Sequence, residues 1–338
     1  MKRFFSSKAF QQLIGISVSL IILAWLAQAL EWQKVGEALS SVSLWPLIPA
    51  ALALLFHMLI RSWRWRYLLP KTTNPGEQKL LFNSIMAGNL ATYILPLRAG
   101  EFVRPFLLTR RSSYSFPTAF VSVVIERFFD LVTVLLTFAV LLLFLPDLPP
   151  VIYQGASAFG LLAFCIFVVI IMGTYFPELC RKIANSGSQL LPKTVATKIL
   201  KFSEQVLEGL SVIREPKNLV MVTFTTIIVW ASCITLFYLF FLCFPLQPTL
   251  VSAVSVTIIT ALAVAAPSAP GFIGVFEAAC VAALKPFDIS YEMAFSYGLI
   301  AHALHYVVLV GYGLFLSFSG TFKVSEIQQA TEVSTDQV

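Results

Sequence analysis

From Asn218 to Phe276 the chain runs for 59 residues without an Asp, Glu, Lys or Arg. A membrane-crossing helix needs about 20 apolar residues, so this stretch alone holds more than one embedded segment. Other charge-free runs cover Phe10–Leu30, Ala38–Ile60, Leu80–Leu97, Leu148–Pro177 and Met293–Phe322. Charged residues make up 12% of the chain, against about 25% in a typical soluble domain. A soluble enzyme, a disordered chain and a nucleic-acid-binding protein are excluded. So is a porin-like barrel, whose strands alternate polar and apolar residues. The fold class is an all-α polytopic membrane protein.

The formal net charge of +6 comes from Lys and Arg gathered in short loops beside apolar runs, as the positive-inside rule expects. The five cysteines, Cys165, Cys180, Cys233, Cys243 and Cys280, have neither zinc-site nor disulfide spacing. No metal and no cofactor is expected.

Lys2, Arg3 and Lys8 precede the first apolar run, and Ala27-Gln28-Ala29 looks like a signal cleavage site. The run is long for a signal and contains Trp25, which favours an uncleaved first span, Phe10–Leu30. A second span, from about Leu44 to Ile60, ends in Arg61, Arg64 and Arg66 interleaved with Trp63, Trp65 and Tyr67. That pattern reads as an anchor at the membrane–water boundary.

The next segments do not read as simple crossings. If Leu80–Leu97 crossed fully, Arg98, Arg104, Arg110 and Arg111 would lie outside. A re-entrant hairpin avoids this, with arms at Leu80–Leu95 and about Leu97–Leu108 and a tip broken by Pro96 and Gly100. Spans follow at about Phe116–Leu145 and Val151–Phe176. Glu178–Lys217 is polar, and within it Val195, Ile199, Phe202, Val206, Leu210 and Ile213 recur every three or four residues. This is an amphipathic helix, either lying on the inner membrane surface or packed on the cytoplasmic side. Leu219–Phe244 spans again. Leu250–Ala266 and Phe272–Leu284, broken at Pro267, Pro270 and Gly271, form a second hairpin. Glu292–Phe318 is the last span. The expected architecture is one membrane domain over residues 1–320 with six full spans, two opposed hairpins and both termini cytoplasmic. Residues 321–338 read as a disordered tail. Eight spans of the same parity is the alternative.

Charge at mid-bilayer costs roughly 2.5–3.5 kcal/mol per residue on insertion scales. Seven charges fall in embedded segments: Arg98, Glu101, Arg104, Glu126, Arg127, Asp130 and Glu277. They must pair or line a wet cavity. Spacings of three or four let Arg98, Glu101 and Arg104 touch in sequence, as do Arg127 and Asp130. One reading is a purely structural ion-pair network. The other is a substrate site, because the planar guanidinium fork suits a phosphate-bearing headgroup. In the second hairpin a helix restarts near Gly274, where free N–H groups and the dipole favour an anion. Glu277 lies one turn on, available to an arginine, a cationic headgroup or a coupling ion. His57, His302 and His305 read as packing or interfacial residues, with a proton-relay role open for the last two.

These motifs together resemble one family. Pro96 to Arg104 carries an R-x-G-E-x-x-R pattern, Glu126 to Asp130 an E-R-x-x-D pattern, and Pro267 to Glu277 a P-x-x-P-G-x-x-G-x-x-E pattern. All three are similar to motifs of the lysylphosphatidylglycerol synthase transmembrane-region family, also called flippase-like. The resemblance runs from about residue 10 to 320. It implies translocation or modification of membrane lipids in a bacterial inner membrane, without the soluble aminoacyl transferase half of bifunctional members. It adds weight to Arg98, Gly100, Glu101, Arg104, Glu126, Arg127, Asp130, Pro270, Gly271, Gly274 and Glu277. The leading expectation is a lipid or polyprenyl-lipid translocase whose partners are membrane lipids. A membrane glycosyl or aminoacyl transferase and a scaffold of lipid-synthesis enzymes are the alternatives.

Overall fold

The computed structural model describes residues 8–71, 76–95, 100–145, 150–189, 192–266, 268–323, 325–327 and 329–330. Backbone polar groups in an apolar setting must bond within their own segment, and the described parts of each charge-free run are helical apart from turns such as 41–46 and 242–249. The helices are α1 (Lys8–Ala29), α2 (Trp32–Ser40), α3 (Leu47–Arg66), α4 (Glu77–Ile94), α5 (Gly100–Thr109), α6 (Phe116–Leu141) and α7 (Pro150–Tyr175). They continue as α8 (Pro177–Ser188), α9 (Lys193–Ser211), α10 (Pro216–Phe241), α11 (Leu250–Ala265) and α12 (Val275–Leu284). The last, α13, runs Tyr291–Phe318 through a π-turn at Tyr306–Val310. The fold is all-α and polytopic.

Capping chemistry sets several helix starts. Ser115 accepts from the Thr118 N–H at the head of α6. Thr249 and Ser252 cap each other reciprocally at α11, and Ser290 accepts from the Met293 N–H at α13. Each side-chain oxygen satisfies a backbone donor the helix leaves open.

Among the described residues, four helices are long and apolar enough to cross a membrane: Leu47–Arg66, Tyr153–Tyr175, Pro216–Phe241 and Tyr291–Phe318. Helix α6 has 26 residues, but Glu126, Arg127 and Asp130 interrupt its apolar run.

Two helix pairs stand apart from these. Helices α4 and α5, which end at Ile94 and begin at Gly100, pack on each other, and α11 and α12 pack on each other across the break before Val275. Helices α5 and α12 have 10 residues each, about 15 Å at 1.5 Å per residue. Neither can cross a hydrocarbon core of about 30 Å alone. The α4–α5 contact is close because Gly88 and Gly100 face each other. A Cβ on Gly100 would collide with the Gly88 carbonyl oxygen, and one on Gly88 would sit 2.9 Å from the Arg104 Cβ. Gly100 therefore serves as a contact point as well as a helix start. Pro96, Arg98 and Pro267 lie outside the described residues.

The amphipathic segment is two helices, α8 and α9. Leu207, Leu210 and Ile213 are buried, with Gly209 against Val121 of α6. Val195, Ile199 and Phe202 of α9, with Leu179 and Ile183 of α8, remain exposed. One end of the stripe is packed and the other is free.

Packing also runs past residue 320, where the sequence reading ended the domain. Phe322 is buried, with the Arg111 guanidinium 4.3 Å from its ring centroid. Arg111 also pairs with Glu326 at 3.0 Å. Burial works against the Glu326 charge, but the Arg111 hydrogen bond and the Lys323 N–H hold its carboxyl below the usual range. Residues 331–338 lie outside the described residues.

Candidate functional site

Three helices bring charges to one point, and a fourth adds neutral partners. Helix α3 supplies Arg61 and Arg64, α5 supplies Glu101 and Arg104, and α6 supplies Glu126, Arg127 and Asp130. Helix α10 adds the neutral partners Thr226 and Trp230. Spacings of three or four residues keep each set on one helix face.

Glu126 is the centre and is fully buried. Its Oε1 accepts from Arg61 at 3.2 Å, Arg104 at 3.2 Å and Arg127 at 2.7 Å, and lies 3.1 Å from Arg64. Its Oε2 lies 3.0 Å from Arg104. Asp130 takes a bidentate fork from Arg64 at 2.6 and 3.2 Å and a hydrogen bond from the Trp230 indole at 3.2 Å. Glu101 bridges Arg104 and Arg127 more loosely, at 3.8 and 3.6 Å. Behind the cluster, Trp65 lies 5.0 Å from the Arg104 guanidinium and donates to Ser122 at 2.7 Å.

The described cluster holds four guanidinium groups and three carboxylates, so one positive charge is unbalanced. Hydrogen bonding is incomplete on both sides: Arg64 Nε and Arg104 Nε are buried without a hydrogen-bond partner, as are the acceptors Glu101 Oε2 and Glu126 Oε2, although Arg104 Nη2 lies 3.0 Å from Glu126 Oε2 as an ion pair. Burying such groups unsatisfied is unfavourable. The cluster opens where Arg127 and Glu101 sit, with side chains 36% and 30% exposed. A narrow cavity of about 10 Å³ between Arg61, Asn89, Thr92, Gly100, Glu101 and Arg104 has room for about one water. An apolar groove of about 300 Å³ lies between α6, α7 and α9, lined in part by Phe120, Val124, Ile166 and Phe202. Phe120, Val124 and Arg127 share a helical stripe of α6, so groove and cluster open on one face.

Sequence reasoning missed half of the cations here. Arg61 and Arg64 read as a boundary anchor, but Arg64 and Trp65 are completely buried. The correction has a simple cause. Their carboxylate partners lie 65 and 66 positions away on α6. A usable signal existed, because His57, Arg61, Arg64 and Trp65 fall on one stripe while Trp63 falls on the exposed side. His57 itself bonds the Val229 carbonyl and Ser232, tying α3 to α10.

The second hairpin is built differently. Glu277 is buried and both its oxygens are engaged. Oε2 accepts the Gly274 N–H at 2.7 Å, and Oε1 lies 2.6 Å from His302 Nδ1. The helix start expected to offer N–H groups to an anion is thus capped by the chain's own carboxylate. His302 Nε2 bonds the Gly271 carbonyl at 2.7 Å. Gly271, just after Pro270, has φ +69°, which favours glycine, and a Cβ there would collide with the Tyr306 hydroxyl. Gly274 packs on Leu23 and Ser19 of α1. The structure therefore joins Glu101, Arg104, Glu126, Arg127 and Asp130 in one site and places Glu277, Gly271 and Gly274 in another.

A helical membrane protein with two helix pairs that each include a ten-residue helix, and with an internal cluster of surplus arginines, defines a class: polytopic membrane proteins with polar chemistry inside the bundle. The particular family follows from comparison. The model of the lysylphosphatidylglycerol synthase TM region matches residues 12–313, and the chain belongs to that family. A curated protein, the glycosyltransferase AglD of Haloferax volcanii, is 25% identical over 122 residues. The match covers 36% of this chain and 19% of that protein, so the likeness spans about a fifth of the relative's length. No solved structure matches the chain significantly.

Proposed function

We propose that the chain is a lipid translocase of the inner membrane that receives an anionic headgroup at the arginine cluster. The observation that carries this reading is a buried site with more guanidinium groups than carboxylates, open at Arg127 and Glu101. Guanidinium donors left without partners inside a protein match a phosphate oxygen in charge and geometry. Acyl chains would occupy the apolar groove on the same face of α6. In this reading both short helix pairs re-enter the membrane from opposite sides, and both termini are cytoplasmic.

The test uses proteoliposomes carrying a labelled anionic phospholipid in one leaflet. Transbilayer exchange above that of empty vesicles is expected, with a loss of about tenfold or more in Arg104→Gln or Arg127→Gln, since each headgroup ion pair is worth about 1.4 kcal/mol or more. Equal exchange by wild type and both variants refutes the mechanism.

The partial likeness to a glycosyltransferase favours a second reading, a lipid-linked modification system, either as an enzyme or as a scaffold for lipid-synthesis enzymes. Lipid analysis of a deletion strain separates the readings. A missing modified lipid supports the second; an unchanged lipid pool with altered leaflet exposure supports the first.

A further inference from the structure

The hydrogen bonds at the second hairpin contain one more proton than the ordinary states of their groups supply. His302 Nε2 lies 2.7 Å from the Gly271 carbonyl oxygen, which has no proton to give. Nε2 must therefore carry a hydrogen. His302 Nδ1 lies 2.6 Å from Glu277 Oε1. A hydrogen must sit between these two atoms as well, either on the ring or on the carboxyl. Glu277 Oε2 accepts the Gly274 N–H at 2.7 Å and supplies none. A neutral ring beside an ionised carboxylate would set a ring lone pair against Oε1 or against the Gly271 carbonyl. The geometry is complementary only when the pair holds a second proton, and this holds for either assignment of that proton.

The pair also clamps a backbone that would not stay in place alone. Gly271 and Phe272 are consecutive left-handed residues, with φ of +69° and +63°. Such a conformation at a bulky residue persists only where surroundings enforce it. Here the enforcement comes from His302 on the Gly271 carbonyl, from Glu277 on the Gly274 N–H, and from rings. Tyr93 of α4 meets Phe272 at 6.0 Å and Tyr306 at 4.7 Å. Phe276 stacks on His302 at 4.7 Å. The π-turn begins at Tyr306, whose hydroxyl lies where a Gly271 side chain would go. Wide turns of this kind are frequent at functional sites. Through Tyr93, the tip of the second hairpin rests on the first.

We infer that Glu277 and His302 form a proton-binding site, and that loss of the shared proton releases the tip at Gly271–Gly274. When the proton leaves for solvent, the ring's remaining hydrogen sits on Nδ1 facing the Glu277 carboxylate, so Nε2 turns a lone pair on the Gly271 carbonyl and that hold on the tip is lost. Several titratable or charged-capable groups surround the pair. Tyr93 comes from α4, Cys280 from α12, and His305 and Tyr306 from α13. Among the described side chains, helix α1 contributes the hydroxyl of Ser19, which accepts from the Ala269 N–H at 3.0 Å. The inference rests on the translocase reading for its purpose, since it gives the transporter a coupling ion. It does not rest on that reading for its chemistry.

The test is hydrogen–deuterium exchange of the peptide 268–276 in nanodiscs, from about pH 6 to about pH 9 and corrected for intrinsic exchange. Wild type should lose protection by about tenfold or more as the pH rises, because the deprotonated pair no longer holds the tip. In Glu277→Gln the side-chain amide donates to Nδ1 and its oxygen accepts the Gly274 N–H, so protection should stay high and independent of pH. If that variant does not fold, His302→Gln replaces it, and the pH step must disappear with the ring. Protection that is flat in wild type overturns the inference, as does a pH step that survives unchanged in the folded variant. The same preparations are tested as proteoliposomes with a labelled phosphatidylglycerol. A pH step without lipid movement defeats the translocase reading and leaves the proton site standing. Lipid movement without a pH step does the reverse.

Discussion

The two short helix pairs look alike in sequence, each with a helix break followed by charged residues, yet they solve the burial of charge in opposite ways. At the first, α4 and α5 lean on α3 and α6, and Glu126 gathers four arginines from three helices. Buried donors and acceptors both remain unsatisfied, and four guanidinium groups face three carboxylates. At the second, a single carboxylate and a single imidazole satisfy each other and the backbone around them. In the proposed reading the surplus positive charge is the place for a ligand, while the closed set of partners is a clamp. A helix break beside a charge is therefore compatible with either role.

The largest expected effect attacks the first region at its centre. Glu126→Gln leaves four guanidinium groups around a buried neutral amide, and removing one partner of a buried ion pair costs about 3–5 kcal/mol. A sharply lowered thermal midpoint in detergent checks this, and an unchanged midpoint would mean that the cluster is far wetter than its burial indicates.

Next comes the second region. Gly271→Ala places a side chain at positive φ and against the Tyr306 hydroxyl, for a loss of about 1–3 kcal/mol. Adding Tyr306→Phe should recover only some of the steric part, because the ring carbon Cζ still lies 2.6 Å from the added Cβ, and none of the backbone part. Full recovery by the double variant would show that conformation at Gly271 is unimportant.

A smaller effect on stability separates ligand-facing from structural arginines. Arg127 is 36% exposed whereas Arg64 is fully buried. Arg127→Gln should therefore cost about 1 kcal/mol or less in stability while reducing lipid exchange strongly. The contrast between the two sides of the cluster fails if Arg127→Gln destabilises as much as Arg64→Gln.

The smallest effect lies outside both regions. Glu326→Gln removes the Arg111 pair and should loosen residues 322–330 by about 1 kcal/mol or less, read as faster proteolysis there. Because the Glu326 carboxyl is held below its usual range, the same loosening in wild type should come as the pH falls, not as it rises. Identical cleavage rates at neutral and acid pH would remove this contribution.

Much of the fold is legible in the sequence for a local reason. Helix positions follow from charge-free runs and from caps such as Thr249 with Ser252, and the breaks follow from Pro and Gly near Gly100 and Gly271. Of the site, Glu101, Arg104, Glu126, Arg127 and Asp130 are legible because a charge in an apolar segment needs a partner. The partners themselves are not. Arg64 sits in a basic-aromatic run that has the composition of a surface anchor, and nothing within one turn of it shows that Asp130 waits 66 positions away. His302 looked like packing because Glu277 lies 25 positions earlier.

The sequence by itself determined that this chain is a bundle of helices in an apolar medium, broken at two places. Backbone hydrogen bonding within a helix is local, and the scarcity of charge is a property of composition. Only the tertiary structure decided which break gathers surplus cations and which is sealed by a histidine. A side-chain ion pair spans a few ångströms in space and any distance along the chain, so its partner is chosen by how the helices pack.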